Sequence, residues 1–298
     1  MSGHFQVTTF DAGEGPVVGL VRDGGFYASQ TFSSVREILD RWDLAEEKLT
    51  TAAARMAERT PLRGVRVLAP LPNPRNIYFT GANYADHLEE MARVLGPAAA
   101  APREPWFMLK STSCVVGPGE CVRRPQGVER LDWEVELAVI IGHSARNVPV
   151  TQALRHVAGY TVANDLSARD RTFRDAENPA SLFRLDWLGQ KTFDGACPLG
   201  PAITPASSIA DVQKLALKLW VNDELMQSSN TAGMVFGVAE LVSHLSHRVS
   251  LWPGDVILTG TPAGVGAARQ RFLQPGDRVR QWIEDIGEFE FTIGAAAA

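Results

Sequence analysis

The chain has 298 residues, of which 45% are apolar and 21% charged, with 26 glycines and 18 prolines. These proportions are typical of globular proteins and exclude a collagen-like, coiled-coil or disordered chain. The formal net charge is −5, and the basic residues are scattered along the chain rather than clustered. We therefore expect no nucleic-acid partner.

The apolar runs and the cysteines bear on location. No apolar run approaches the roughly 18 residues that span a bilayer, and the first residues, MSGHFQVTTF, lack the layout of a signal peptide. We expect no membrane partner and a cytoplasmic location. Cys114, Cys121 and Cys197 form no CxxC pair, so they are expected to be buried free thiols rather than disulfides or a zinc site.

The first 68 residues predict a small N-terminal α/β domain. Alternating runs between glycine-rich turns predict a β-meander over 4–32, and apolar residues at a helical period predict a helix over 34–58 with Ser34 as its N-cap. Prolines at positions 70, 72 and 74 then break the pattern. We place the boundary there, with a catalytic domain over 69–298.

Strand signals dominate the second region. Strands are predicted at 76–80, 135–141, 160–163, 215–221, 255–259, 278–283 and 288–293, and helices at 84–95, 150–157, 166–175 and 232–247. An excess of strand over helix, with many glycine and proline turns, favours a β-rich α+β fold over a parallel βαβ architecture.

Acidic residues precede and enter one apolar strand. Glu134 and Glu136 alternate along it and share a face, whereas Val135 and Leu137 face a core. Two adjacent carboxylates repel unless a hard cation such as Mg2+, Mn2+ or Ca2+ neutralises them; the alternative is a solvated edge strand. Asp165 follows another apolar strand and could be a third ligand, or an N-cap.

Two further segments could carry chemistry. His87 and Glu90 lie three residues apart on a predicted helix, where a carboxylate can orient an imidazole as a general base; a surface ion pair is the alternative. The glycine-rich segment 260–266 follows a strand, and its backbone N–H groups could bind a carboxylate. Its spacing matches no nucleotide-binding motif.

Taken together, these motifs resemble the fumarylacetoacetate hydrolase family. The resemblance spans about residues 65–294 and rests on segments 83–87, 132–137, 159–170, Lys191 before 198–201, 227–231 and 254–266. It implies a mixed β-sandwich roll and a homodimer or dimer of dimers. It also implies Mg2+ or Mn2+, with Ca2+ as a substitute in crystals, held by Glu134, Glu136 and Asp165.

The resemblance also implies roles for the other candidates. His87 and Glu90 would activate a water molecule, and Lys191 would hold substrate and stabilise negative charge. Substrate contacts are implied for Arg169, Gly260 and Thr261, and the segment around His87, with its Gly/Ala/Pro tail, is similar to the family's lid.

The implied function is hydrolysis of a C–C bond in an acylpyruvate-like 2,4-dioxo acid through a metal-stabilised enolate. The same residues could decarboxylate oxaloacetate, isomerise a 2-hydroxydienedioate or dehydrate a 2-keto-3-deoxy sugar acid. A metal-containing ligand-binding protein without catalysis is a third alternative. In every case, the partner is a small 2-oxo carboxylate.

One segment departs from the family pattern. Many relatives carry a glutamine two residues after the position of Arg169 and a shorter connection to the lysine, whereas this chain has Arg171 and a longer 171–190 segment. Arg171, Arg174 or Arg184 could pair with a second acidic group of the substrate, or could simply be surface residues.

Overall fold

A computed structural model describes residues 5–95, 102–178 and 180–296 of the chain. The strands are β1 (Gln6–Asp11), β2 (Pro16–Arg22), β3 (Gly25–Ala28), β4 (Arg66–Val67), β5 (Ile77–Thr80), β6 (Phe107–Lys110), β7 (Val115–Val116), β8 (Cys121–Arg123), β9 (Leu131–Asp132), β10 (Val135–Ile141), β11 (Val157–Asn164), β12 (Ser167–Ala168), β13 (Cys197–Pro205), β14 (Ala216–Val221), β15 (Glu224–Asn230), β16 (Val256–Leu258), β17 (Arg278–Ile283) and β18 (Gly287–Gly294). The helices are α1 (Val35–Asp40), α2 (Trp42–Ala54), α3 (Ala85–Leu95), α4 (Val150–Ala153), α5 (Trp187–Lys191), α6 (Val238–Arg248) and α7 (Gly266–Arg269).

A large sheet has the order β3-β2-β1-β13-β11-β10-β16-β5-β6, with β4 beside β1 and β7 beside β13. A second sheet has the order β15-β14-β17-β18-β8, and β12 pairs with β9. The predicted β-rich α+β class is confirmed by this arrangement. None of the helices in the described ranges is long and apolar enough to cross a membrane.

Strand β10 is buried on both faces, because it separates two hydrophobic clusters. Leu137 and Val139 pack in the cluster shared with the second sheet. Ala138 and Ile140 face the cluster that α1 and α2 also enter. Because β10 pairs with both β11 and β16, it is a central strand, and the solvated-edge alternative for its acidic residues is wrong.

The N-terminal region is joined to the large sheet. Val7 of β1 pairs with Ile203 of β13, and α1 and α2 bury residues against the same sheet. Ser34 caps α1 as expected, by accepting a hydrogen bond from the Glu37 N–H group. The predicted single helix is interrupted at Arg41, whose φ of −133° is not helical. The division into residues 1–68 and 69–298 stays a prediction.

The predicted helix over 166–175 is wrong. Residues 167–168 form β12, which pairs with β9, and a short 3-10 turn follows at 169–171. The helix predicted from residue 232 begins only at Val238, because the backbone of Val235 and Phe236 is hydrogen-bonded to Asn83. The prediction missed β6, β8, β13 and β15; β13 contains three prolines and a glycine, which are usually strand breakers.

The three cysteines are free thiols, as expected. Cys114 and Cys197 are buried, but Cys121 is exposed, so its predicted burial is wrong. The reason is strand alternation at the sheet edge: in β8, Val122 faces the core whereas Cys121 and Arg123 face outward.

Candidate active site

Three carboxyl groups converge where β10 begins and β11 ends. Val135 pairs with Asn164 across these antiparallel strands, and the Asp165 N–H group donates to the Glu134 carbonyl at 2.9 Å. This register places Asp165 beside Glu134 and Glu136. One carboxylate oxygen from each lies within 4.8 Å of the other two, and all three residues are buried.

Buried cations surround these carboxylates. Lys191 Nζ lies 2.8 Å from Glu134 Oε2 and 2.6 Å from Asp165 Oδ2. Lys110 Nζ lies 2.6 Å from Asp165 Oδ1 and donates a hydrogen bond to the Ala196 carbonyl. Its contact with Asp165 is an ion pair without the alignment of a hydrogen bond.

Arg169 links this cluster to a fourth acid. Its Nη2 lies 2.6 Å from Glu134 Oε1, and its Nε lies 2.8 Å from Asp132 Oδ2. Asp132 also accepts hydrogen bonds from the N–H groups of Gly266 and Ala267. Asp132 therefore fixes both Arg169 and the start of α7.

The carboxyl groups differ in ionisation. Burial acts against ionisation of Glu134, but Lys191 and Arg169 bring its pKa down to about 2. Burial, together with the charges of Asp165 and Glu134, raises the pKa of Glu136 well above its ordinary range. The cluster therefore holds more acid than its cations neutralise. Three buried oxygen donors with this shortage of positive charge fit a hard dication.

His87 and Glu90 form a pair on the first two turns of α3. His87 Nδ1 lies 3.2 Å from Glu90 Oε2. Burial opposes ionisation of Glu90, but hydrogen bonds from His87 and from the Gly264 N–H group lower its pKa overall. An ionised Glu90 accepts a hydrogen bond from Nδ1–H, which leaves the lone pair on Nε2 free to take a proton.

The glycine-rich segment binds carboxylates of the protein itself. The Gly260 N–H group donates to Glu136 at 2.7 Å, and the Gly264 N–H group donates to Glu90 at 3.0 Å. Both glycines have positive φ, +90° and +102°, and an added Cβ would collide with Asn83 at one and Met226 at the other. The loop thus joins a carboxylate of β10 to the helix that carries His87.

The other predicted residues are the candidate substrate contacts Arg169, Gly260 and Thr261. Thr261 Oγ1 donates to the Val135 carbonyl and accepts from Gln227, and its side chain also lines the cavity described below. Arg169 also lines this cavity, whereas Gly260 is not among the described lining residues and its N–H group is bonded to Glu136. The substrate contacts of all three residues stay predictions. Residues 96–101, the tail of the lid-like segment, lie outside the described residues.

The three arginines of the divergent segment do not line this cavity. Arg171 donates to the Gln126 carbonyl, Arg174 pairs with Asp186 at 3.8 Å, and the Arg184 guanidinium lies 4.4 Å from the centre of the Phe173 ring. These contacts favour the interpretation of all three as surface residues.

A cavity of about 620 Å³ connects these groups. Its lining includes five residues that we call its floor, namely His87, Glu90, Glu134, Glu136 and Lys191. The structure brings together the three candidate metal ligands and places the catalytic candidates in the same cavity. The sequence analysis did not identify Lys110, which pairs with Asp165. The signal for Lys110 was weak, because a lysine at the end of a four-residue strand is usually a surface residue.

Comparisons with known proteins agree with this geometry. The family model described as fumarylacetoacetate (FAA) hydrolase C-terminal matches residues 76–294. The chain is 42% identical over 253 residues to the mitochondrial oxaloacetate tautomerase FAHD2B of Bos taurus, covering 84% of this chain and 76% of that protein.

Two solved structures share the fold. The fumarylacetoacetate hydrolase of psychrophilic Exiguobacterium antarcticum is 31% identical, with a TM-score of 0.79, covering 98% of this chain and 99% of that chain. The maleylpyruvate hydrolase of Sphingobium sp. SYK-6, in complex with manganese(II) and pyruvate, is 28% identical, with a TM-score of 0.76, covering 98% and 100%. These likenesses confirm the expected family architecture. The chain belongs to the fumarylacetoacetate hydrolase family.

Proposed function

We propose that this protein is an enzyme that interconverts the enol and keto forms of a 2-oxo acid, with oxaloacetate as the first substrate to test. The observation that carries the proposal is the buried triad of Glu134, Glu136 and Asp165, whose oxygens lie within 4.8 Å of one another. His87 and Lys191 line the same cavity floor. The similarity to an oxaloacetate tautomerase supports this choice of reaction.

The proposed cofactor is Mg2+ or Mn2+, which the three carboxylates would hold. The manganese described for the maleylpyruvate hydrolase supports this class of ion. When bound, such an ion polarises the 2-oxo group and stabilises the negative charge of the enolate.

The residues of the chain would bind the acid and move one proton. With a dication held by the three carboxylates, the positive charge of Lys191 and Arg169 is no longer outnumbered, and these side chains would attract the substrate carboxylate. His87 Nε2 would take a proton from C3 of the keto form and return it to the enolate oxygen, which completes the enol. Glu90 keeps the imidazole in the required tautomer throughout.

Hydrolysis of an acylpyruvate-like 2,4-dioxo acid is the second candidate. The His87–Glu90 pair favours it, because that pair can also take a proton from water. Hydroxide would add to the distal carbonyl, the C–C bond would break, and the proton would go to the carbon of the departing pyruvate enolate. The similarity to a maleylpyruvate hydrolase supports this alternative.

Two assays on one preparation test these candidates. Loss of the oxaloacetate enol is followed by ultraviolet absorbance, and acetylpyruvate hydrolysis by pyruvate release, each with Mg2+ or Mn2+ and with EDTA. Enol loss no faster than with free metal would overturn the first candidate, and the absence of pyruvate would overturn the second. A protein that binds metal and turns over neither substrate would support the ligand-binding alternative.

His87→Ala is the matched variant for both assays. Turnover should fall by about 10²–10⁴-fold, because the general base is lost. Mn2+ affinity, measured by calorimetry, should be retained, because His87 is not among the three carboxylates. Unchanged turnover would remove His87 from the mechanism.

Assembly and location are also proposals. We expect a homodimer or a dimer of dimers, which light scattering after size-exclusion chromatography would measure. The cytoplasmic location stays a prediction, and the similar tautomerase is named as mitochondrial, so that compartment is the alternative to test by fractionation.

A further inference from the structure

The cavity has two chemically different halves. Its buried lining side chains include the charged groups of Glu134, Glu136 and Lys191. We call its partly exposed large apolar lining residues the outer half, namely Met91, Trp106, Met108, Phe173, Leu185 and Trp187. Its volume of about 620 Å³ falls within the range of about 300–1,000 Å³ that is typical of sites for drug-sized ligands. A four-carbon acid at the floor would leave the outer half unfilled.

The two tryptophans of the outer half form an ordered pair. Their ring centroids are 5.1 Å apart and their planes meet at 75°, which is the favourable edge-to-face arrangement. The Trp106 ring rests on the backbone of Gly81, where an added Cβ would lie 2.5 Å from Cε3. The Trp106 carbonyl accepts hydrogen bonds from the Gly81 N–H group and from Thr80 Oγ1. These hydrogen bonds fix the Trp106 backbone relative to β5, and the ring packs over Gly81.

These aromatic side chains remain partly exposed to solvent. Trp106 is 47% exposed and Phe173 is 44% exposed. Partly hydrated apolar walls around a pocket gain free energy when an apolar group covers them. Among the described lining residues, Arg130, Arg169 and Lys191 are the Lys and Arg side chains. The last two contact the floor carboxylates, and the solvated guanidinium of Arg130 lies 5.1 Å from the centre of the Phe272 ring, which is not a lining residue. The outer half therefore suits an apolar group better than a second carboxylate.

We propose that this outer half is a subsite for an aryl substituent, so that the preferred substrate is an aryl-bearing 2-oxo acid rather than oxaloacetate. This inference rests on the proposed function for the orientation of the ligand, with its 2-oxo carboxylate end at the floor. The aryl ring would then lie against Trp106 and Trp187.

Two unreactive ligands test the subsite without turnover. Oxamate carries the head group alone, and N-phenyloxamate carries the same head group with a phenyl ring. Calorimetric titration of the Mn2+-loaded protein should show that N-phenyloxamate binds at least about tenfold more tightly, as expected for burial of one phenyl ring. Equal affinities would overturn the proposal.

Tryptophan variants test where the phenyl ring of N-phenyloxamate binds. In Trp106→Ala and in Trp187→Ala, the ratio of the two affinities should fall toward one, whereas Trp187→Phe should preserve most of it. Trp252→Ala is the matched control, because Trp252 is 48% exposed and does not line the cavity. A preference for the phenyl ligand that persists in both alanine variants would place the ring elsewhere and overturn the proposal. Thermal unfolding checks that each variant folds.

The outcomes separate this inference from the proposed function. Turnover of oxaloacetate without a preference for the phenyl ligand would leave the reaction standing and remove the subsite. A tryptophan-dependent preference for the phenyl ligand, without turnover of any 2-oxo acid, would support the subsite and overturn the proposed reaction. Failure of both ligands to bind would contradict both.

Discussion

The charged floor and the apolar outer half of the cavity differ in how the chain holds their side chains. The floor residues Glu134 and Glu136 lie at the start of the long central strand β10, and both make short polar contacts with buried groups. In the outer half, Phe173 and Leu185 face each other through an isolated bridge in the irregular 171–190 segment. The floor is therefore fixed by strand register, and the outer half by local packing.

This difference indicates which part of the protein can vary. A change at the floor leaves a buried charge without its partner, which is costly in free energy. A change at the outer half removes apolar contact area at a partly exposed surface, which costs less and alters ligand preference. We expect the reaction to depend on the floor and the substrate preference to depend on the outer half.

Glu136→Gln should have the largest effect, because it removes one of the three proposed carboxylate ligands. Metal-dependent turnover should fall by at least about a thousandfold, since a bound dication supplies several kcal/mol to the reaction. Mn2+ titration should show the loss of affinity directly. Glu288→Gln, on an exposed pair with Arg280, is the control. Normal Mn2+ affinity in the Glu136 variant would remove this residue from the ligand set.

Lys110→Met should destabilise the metal-free protein by about 1–3 kcal/mol, because it leaves Asp165 Oδ1 buried without a partner while Lys191 still pairs with Oδ2. Urea denaturation measures the free energy of unfolding. Adding Mg2+ should recover part of the loss, since the ion would supply positive charge to the same carboxylate. Lys214→Met, which breaks an exposed pair with Asp211, should cost no more than about 1 kcal/mol. Equal losses in the two variants would contradict the special role of Lys110.

Glu90→Gln should lower turnover by about 10–100-fold, because a neutral amide orients the His87 imidazole less strongly than the carboxylate does. Its effect on stability should depend on pH. The pKa of Glu90 is lowered from its ordinary 4.5, so its ionised form stabilises the fold above that pH and the stabilisation is lost as the pH falls. The difference in unfolding free energy between this variant and the natural chain should therefore shrink below pH 4.5. A difference that stays constant would contradict this assignment.

Gly81→Ala should act on the outer half alone. The added Cβ would displace the Trp106 ring, which is free to move outward because it is half exposed. We expect a loss of stability near the lower end of the roughly 1–3 kcal/mol range for overpacking, with a reduced preference for N-phenyloxamate. Thermal unfolding and calorimetry measure the two effects. Retention of the full preference would show that the position of Trp106 does not matter.

Leu182→Ser should have the smallest effect. Leu182 is 93% exposed and does not line the cavity, so stability should change by no more than about 0.5 kcal/mol. Turnover and the phenyl preference should be unaffected. A large change in either would show that the irregular segment contributes to the site through its exposed side chains.

Local pattern predicted the strands that carry the floor but not the segments around them. The alternation of Glu134 and Glu136 with Val135 and Leu137 is confirmed, because a strand fixes side-chain direction by its period of two. The segment after Asp165 was predicted as a helix and is instead a short strand and a 3-10 turn. Its conformation is decided by pairing with β9, a contact between residues distant in sequence, which local periodicity does not report.

The β-rich class, the family and the three candidate ligands could all be inferred from the amino-acid sequence, because strand alternation and motif order are properties of the chain alone. Folding brings Lys110 against Asp165 and the glycine-rich loop against Glu136 and Glu90, and neither contact could be inferred from the sequence. Folding also brings Trp106 and Trp187, which are far apart in sequence, together in the outer half of the cavity. Those contacts depend on how strands pair across long stretches of sequence, and that information is absent from any local pattern.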